Sequence, residues 1–217
     1  MNASEMLAKV DHTQLKPTAT WQDIAQLCEE AVQYATASAC IPPAFVARAH
    51  AAYPALNLCT VIGFPLGYAA AAVKVCEAKQ ALADGANEVD VVVNLGDVKD
   101  GAFERITAEI AALKAAAGTH ILKVIVETCY LTQAEKIALC GCVTKGGADF
   151  IKTSTGFGTA GAQLEDIALF RSHIGPGVQI KASGGIRTRE QIEQFLQAGC
   201  ARIGCSAAVK ALAGDIK

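Results

Sequence analysis

An alternation repeated along almost the whole chain restricts its fold more than any other feature. Short apolar runs occur at Lys9 to Asp11, Ser38 to Ile41, Asn57 to Ile62, Glu88 to Val93, His120 to Val126, Phe150 to Lys152, Gln179 to Ala182 and Arg202 to Gly204. Between and after them lie longer, alanine-rich amphipathic segments at about 21–35, 43–52, 69–84, 102–117, 132–146, 163–173, 188–198 and 206–213. Strand-then-helix order with short returns implies parallel strands joined by crossover helices. Thr20, Thr132 and Thr188 stand where helix N-caps belong, and Asp84-Gly85, Gly146-Gly147 and Gly199 where C-caps belong. The first and last runs are weak by themselves and rest on the pattern of the others. Eight units in a chain of 217 residues predict one (β/α)8 barrel domain over residues 1–217. An open doubly wound sheet is the alternative, because periodicity does not report closure.

Composition narrows the function. Apolar residues form 52% of the chain and charged residues 18%, which supports a substantial core and argues against disorder. The net charge of −2 provides no basic surplus for a phosphodiester backbone, so nucleic acid is not an expected partner. Lys, Asp or Gly interrupts every long apolar stretch, and the opening Met1-Asn2-Ala3-Ser4-Glu5 has no basic region followed by an apolar run. Neither a membrane span nor a secretory signal is therefore expected, and the localisation read from the sequence is cytoplasmic. The nine cysteines are scattered and form no C-x-x-C pair, as buried, reduced thiols would. The four histidines, His12, His50, His120 and His173, show no ligand-like spacing, so neither a metal nor another cofactor is expected.

Barrels of this type place chemistry at the C-terminal strand ends. In the fourth run Glu88, Asp90, Val92 and Asn94 share one face, which sets Asp90 among valines. A carboxylate there has to be paired, hydrogen-bonded or functional. The sixth run ends at Lys152 and the seventh carries Lys181; each then enters a loop of small residues. Neighbouring strands lie roughly 4.8 Å apart, so the two ammonium groups are expected close together. A free lysine has a pKa of about 10.4, which leaves about one molecule in 2,500 as neutral amine at pH 7. A nearby positive charge and a partly dry pocket disfavour protonation, a known route to an amine nucleophile for Schiff-base chemistry. The alternative is a pair of snorkelling or carboxylate-paired structural lysines. Lys123, on the fifth run, reads as an ion-pair partner of Asp90, either within the catalytic set or as a barrel-interior salt bridge alone.

The loop Ser183-Gly184-Gly185-Ile186-Arg187 has the composition of a phosphate cradle, and Gly204-Cys205-Ser206-Ala207 is placed to open a short helix beside it. At this point the chain resembles the deoxyribose-phosphate aldolases. The resemblance runs from Asp11 to about Ser206. It rests on Asp11-His12-Thr13 with Lys16-Pro17, Val61-Ile62-Gly63-Phe64-Pro65-Leu66-Gly67, Glu88-Val89-Asp90 and Lys123-Val124-Ile125-Val126-Glu127-Thr128. Phe150-Ile151-Lys152-Thr153-Ser154-Thr155-Gly156-Phe157, Lys181-Ala182-Ser183-Gly184-Gly185-Ile186-Arg187 and Arg202-Ile203-Gly204 complete it.

The resemblance implies reversible cleavage of 2-deoxy-D-ribose 5-phosphate to acetaldehyde and D-glyceraldehyde 3-phosphate, without a metal. It assigns the Schiff base to Lys152, the second lysine to Lys181 and the proton-moving carboxylate to Asp90. Thr155, Gly156, Gly184, Gly185 and Ser206 match substrate- and phosphate-contacting positions. Cys40 matches a cysteine near the aldehyde pocket and is, with Lys123, a supporting candidate. The chain departs from the family at Ser206-Ala207, where two serines are frequent, and ends without the terminal tyrosine some members carry. The implied partners are a phosphorylated sugar and acetaldehyde; a homodimer through helix faces is compatible with the composition. The rival readings are a phosphosugar isomerase or synthase barrel, and a phosphate-metabolite binding protein.

Overall fold

Strands form where the apolar runs predict them. In the computed structural model, which describes residues 1–216, they are β1 (Val10–Thr13), β2 (Ser38–Ile41), β3 (Leu58–Ile62), β4 (Glu88–Val92), β5 (Ile121–Ile125), β6 (Phe150–Lys152), β7 (Gln179–Ser183) and β8 (Arg202–Cys205). Each pairs in parallel with the next, and β8 pairs with β1, so the sheet closes into a barrel. Closure excludes the open-sheet alternative. It leaves no free sheet edge and directs alternate side chains into the barrel and out to the helices.

The helices are α1 (Ala3–Leu7), α2 (Trp21–Gln33), α3 (Val46–Ala52), α4 (Ala71–Ala83), α5 (Leu95–Lys99), α6 (Phe103–Ala117), α7 (Gln133–Lys145), α8 (Leu164–His173), α9 (Arg189–Gln197) and α10 (Ala208–Leu212). Thr20, Thr132 and Thr188 all cap with complete capping boxes, reciprocated by Asp23, Glu135 and Gln191. Gly85, Gly147 and Gly199 follow α4, α7 and α9 with positive φ. Two short helices escape the alternation. Asn2 caps α1, whose Met6 and Leu7 are fully buried, and α5 inserts a turn after β4.

The hydrophobic core lies between the barrel and its helices. Outward-facing strand residues such as Leu58, Val89 and Ile151 meet helix residues such as Ile24, Ile110 and Phe170. Each fully buried large apolar side chain contributes about 1.5–3 kcal/mol over an exposed one. One lysine also crosses this layer. Lys74 of α4 is fully buried and donates to the Val92 carbonyl and to Glu109 Oε1, both at 2.8 Å, so it ties α4 and α6 to the end of β4. Inside the barrel Cys40, Cys59 and Val61, with Leu15 and Phe64 against them, make an apolar patch.

All nine cysteines are free, as predicted, yet not all are buried: Cys76 is exposed on the outer face of α4 and Cys129 is half-buried. Among the described residues no helix is long and apolar enough to cross a membrane. Lys217, the last residue of the predicted domain, lies outside the described residues. Thr132→Ala removes the hydroxyl that accepts from the Glu135 N–H and breaks the α7 capping box. We expect it to lower the unfolding free energy by about 1 kcal/mol in denaturant titration without loss of the native fold.

Candidate active site

Seven ionisable side chains converge inside the barrel, because strand parity sends them all inward. Asp11 comes from β1, Glu88 and Asp90 from β4, Lys123 from β5, Lys152 from β6, Lys181 from β7 and Arg202 from β8. The register sets Asp90 beside Lys123, Lys152 beside Lys181, and Lys181 beside Arg202. Asp90 is the hub. Its Oδ2 meets Lys152 Nζ and Lys181 Nζ, each at 2.7 Å, and its Oδ1 meets Lys123 Nζ at 2.8 Å. Lys181 is also paired with Asp11. Lys123 reaches Glu88 at 2.5 Å, and Arg202 reaches Asp11 at 2.5 Å and Glu88 at 3.2 Å.

Burial alone would push Asp90 and Asp11 upward, but the surrounding cations outweigh it and hold both carboxylates well below their usual range. Burial likewise works against the charges on Lys181 and Lys123, and the carboxylates more than reverse it, raising both. Lys181 is therefore a fixed cation with two anionic partners. The predicted closeness of Lys152 and Lys181 holds, with the difference that the two nitrogens share a carboxylate oxygen. In the whole cage Lys123, Lys152, Lys181 and Arg202 set four positive charges against the three negative ones of Asp11, Glu88 and Asp90. Lys152 is the cage cation with a single carboxylate partner.

Above the cage lies a cavity of about 340 Å³, lined by Lys152 but by none of the other cage lysines. Its far wall is the β7–α9 loop with Gly184, Gly185 and Arg187, joined by Ser206 after β8. Gly184 and Gly185 have φ of +85° and +77°, and their N–H groups have no acceptor among the described residues. Consecutive free N–H groups in such a turn have the geometry that suits an anion. The turn is braced from behind by the β6–α8 loop, where the Ala162 N–H donates to the carbonyls of Ser183 and Gly184. A Cβ at Gly161 would stand 2.1 Å from the Gly184 oxygen, so only glycine permits this approach.

The other predicted residues are placed less uniformly. Gly156 lines the cavity with Thr155, but both donors of Thr155, its N–H and its hydroxyl, turn to the carboxylate of Glu127. Cys40 is fully buried in the barrel-interior patch below the cavity lining, and a hydrogen bond from Cys59 lowers its thiol pKa. Lys123 is sealed in the cage. After β8, Ser206 is exposed and lines the cavity, whereas the Ala207 N–H is engaged by Cys205 Sγ at 3.3 Å.

Asp11, Glu88 and Arg202 complete the cage although the residue-level reading did not select them. Their signal was inward parity on strands whose neighbours also carried charge. Lys16 and Arg187, both exposed on the cavity rim and without a carboxylate within 4.0 Å among the described residues, supply positive potential there. Two groups, Cys40 with Cys59 and Asp90, and Asp11 with Cys59 and Glu88, bring ligand-type atoms within 4.8 Å of one another. Their carboxylates already hold ammonium or guanidinium groups, which a metal ion would have to displace.

Fold and cavity together define an α/β barrel with a single cage lysine, Lys152, facing its cavity. A family model described as DeoC/LacD family aldolase matches residues 5–211. A deoxyribose-phosphate aldolase of Clostridium botulinum (strain Eklund 17B / Type B) is 58% identical over 99% of this chain and 98% of its own. One from Clostridioides difficile (strain 630) is 52% identical over 97% and 96%. The tetrameric deoxyribose phosphate aldolase of Aeropyrum pernix superposes with a TM-score of 0.89 at 32% identity, covering 98% of this chain and 92% of that one. The chain thus belongs to the DeoC/LacD aldolase family.

The cage carries a pH signature. Asp11 and Asp90 are lowered from 3.8, so their stabilising contribution is intact above that value. It is lost as acid protonates first the unfolded chain and then the cage. Asp11→Asn leaves Lys181 and Arg202 short of a counter-charge and should cost about 3–5 kcal/mol at neutral pH. Denaturant titrations of both proteins between pH 7 and pH 3 should show the gap narrowing as the wild type loses stability below pH 3.8. A constant gap contradicts this account of the cage.

Proposed function

We propose that this chain cleaves 2-deoxy-D-ribose 5-phosphate reversibly to acetaldehyde and D-glyceraldehyde 3-phosphate through a Schiff base on Lys152. One observation carries the residue assignment: Lys152 is the cage lysine that faces the cavity, and an anion cradle lies across that same cavity.

Loss of one proton from Lys152 leaves three cations facing three carboxylates, so the neutral amine balances the cage. The amine attacks C1 of the open-chain sugar and, after loss of water, becomes an iminium ion. Asp90 is already in place to compensate that positive charge. The C3 hydroxyl gives up its proton, the C2–C3 bond breaks, and its electron pair flows into the iminium. D-glyceraldehyde 3-phosphate leaves and an enamine remains on Lys152. Protonation at C2 followed by hydrolysis releases acetaldehyde and restores the amine. The iminium serves as the electron sink. We assign proton movement to Asp90 acting through water, with the fixed Lys181 cation holding that carboxylate in place at 2.7 Å.

The substrate phosphate is assigned to the cradle of Gly184, Gly185 and Ser206, with Arg187 and Lys16 adding charge from the rim. Borohydride reduction in the presence of acetaldehyde should add 28 Da, about one ethyl group, to the peptide containing Lys152 and abolish activity, in keeping with covalent amine catalysis. Lys152→Arg, which keeps the charge, should take up no label. Label on another residue, or none on the wild type, rejects the assignment.

A further inference from the structure

Glu127 stands outside the machinery described so far, and its environment is unusual in three respects. It is a non-glycine residue in the left-handed region, with φ 55° and ψ 65°. Its side chain is buried, with 2% exposure of the residue. No cation lies within 4.0 Å of its carboxylate among the described residues, although the chain holds its other fully internal carboxylates in ion pairs. A left-handed backbone at a non-glycine residue and a buried carboxyl group without a cationic partner each cost free energy and persist where the surroundings demand them.

The demand comes from one neighbour. Glu127 Oε1 and Oε2 accept from the Thr155 N–H at 3.2 and 3.3 Å, and Oε2 also accepts from the Thr155 hydroxyl. That hydroxyl in turn accepts from the Phe157 N–H at 3.0 Å. The backbone around Glu127 is stitched to the reactive strand, because the Val126 N–H donates to the Lys152 carbonyl and the Thr128 N–H to the Thr153 carbonyl, each at 3.0 Å. Beyond Thr155, Gly156 leans on the cradle: a Cβ on Gly184 would sit 3.4 Å from the Gly156 Cα. One line of contacts therefore runs from Glu127 through Thr155 and Gly156 to Gly184, beside Lys152 but not through its amine.

We propose that Glu127 is a positioning residue that clamps the Thr153–Gly158 loop and thereby fixes the cradle for the phosphorylated part of the substrate. The inference rests on the aldolase reading above. The clamp needs an acceptor-only group, because two donors of Thr155 converge on it. A carboxylate meets both, whereas an amide turns an N–H toward one of them. Its effect belongs to recognition of the phosphorylated substrate, while attack on unphosphorylated acetaldehyde needs only Lys152 and its cage.

The test compares Glu127→Gln, Thr155→Val, Thr155→Ser and the Gln–Val double variant, each shown by circular dichroism and thermal melting to be folded. Two readouts are taken: the rate of borohydride trapping with acetaldehyde, and KM with kcat for 2-deoxy-D-ribose 5-phosphate. Glu127→Gln should raise KM about ten-fold while trapping stays within about two-fold of wild type, the size expected for a lost buried hydrogen bond, and Thr155→Val should raise KM to a similar extent. Thr155→Ser, which keeps both donors, should restore KM, and the double variant should be no worse than either single change. Equal losses in trapping and cleavage, an unchanged KM in Glu127→Gln, or additive single effects would overturn the clamp. Should Glu127→Gln fail to fold, Glu127→Asp, which keeps the carboxylate but shortens its reach to Thr155, takes its place with the same two readouts and the same deciding outcomes. Absence of trapping or cleavage in the wild type would instead defeat the aldolase reading.

Discussion

Asp90 organises this protein. Three ammonium groups meet its two oxygens in a space closed to solvent, and each of those groups, Lys152 excepted, is shared with a further carboxylate. A buried charge stripped of water is tolerable only where every lone pair and proton has a partner. The cage gives each of its seven charged groups at least one opposite charge, and a single broken link leaves a neighbour exposed to the desolvation cost. Many barrels fill the same volume with layers of branched aliphatic side chains. Here most of the aliphatic material lies outward, between strands and helices, and a band of charge crosses the interior.

That division of labour explains how position sets reactivity. Lys123, Lys152 and Lys181 are chemically identical and nearly equidistant from Asp90. Two of them are wedged between carboxylates and locked as cations, whereas the third has one partner and a cavity in front of it. The distinction follows from strand order and from where each strand ends: β6 stops at Lys152, while β5 continues past Lys123 for two more residues.

Much of this was legible from the chain. Period-two alternation set Asp90 on one face of its strand, threonine caps marked helix starts, and the order of the strands brought Lys152 to Lys181 and Lys123 to Asp90. Closure was not legible, because it depends on β1 meeting β8 and both runs are short and weakly apolar. Asp11 and Arg202 went unselected for the same reason, since their meaning appears only across that seam. Thr155 shows a different limit. The family resemblance matches it to a substrate contact, and the direction its donors take depends on a left-handed turn at Glu127 that no residue type announces. The short α1 and α5 lie below the length at which periodicity can speak.

The span of the cage along the chain has a temporal consequence. Its members stretch from Asp11 to Arg202, nearly end to end. A ribosome releases the polypeptide from the amino end, so β1–β4 emerge with only the anions Asp11, Glu88 and Asp90, and the cations follow with β5–β8. Neither half owns a balanced set, and the ring of charges is complete only when the last strand meets the first.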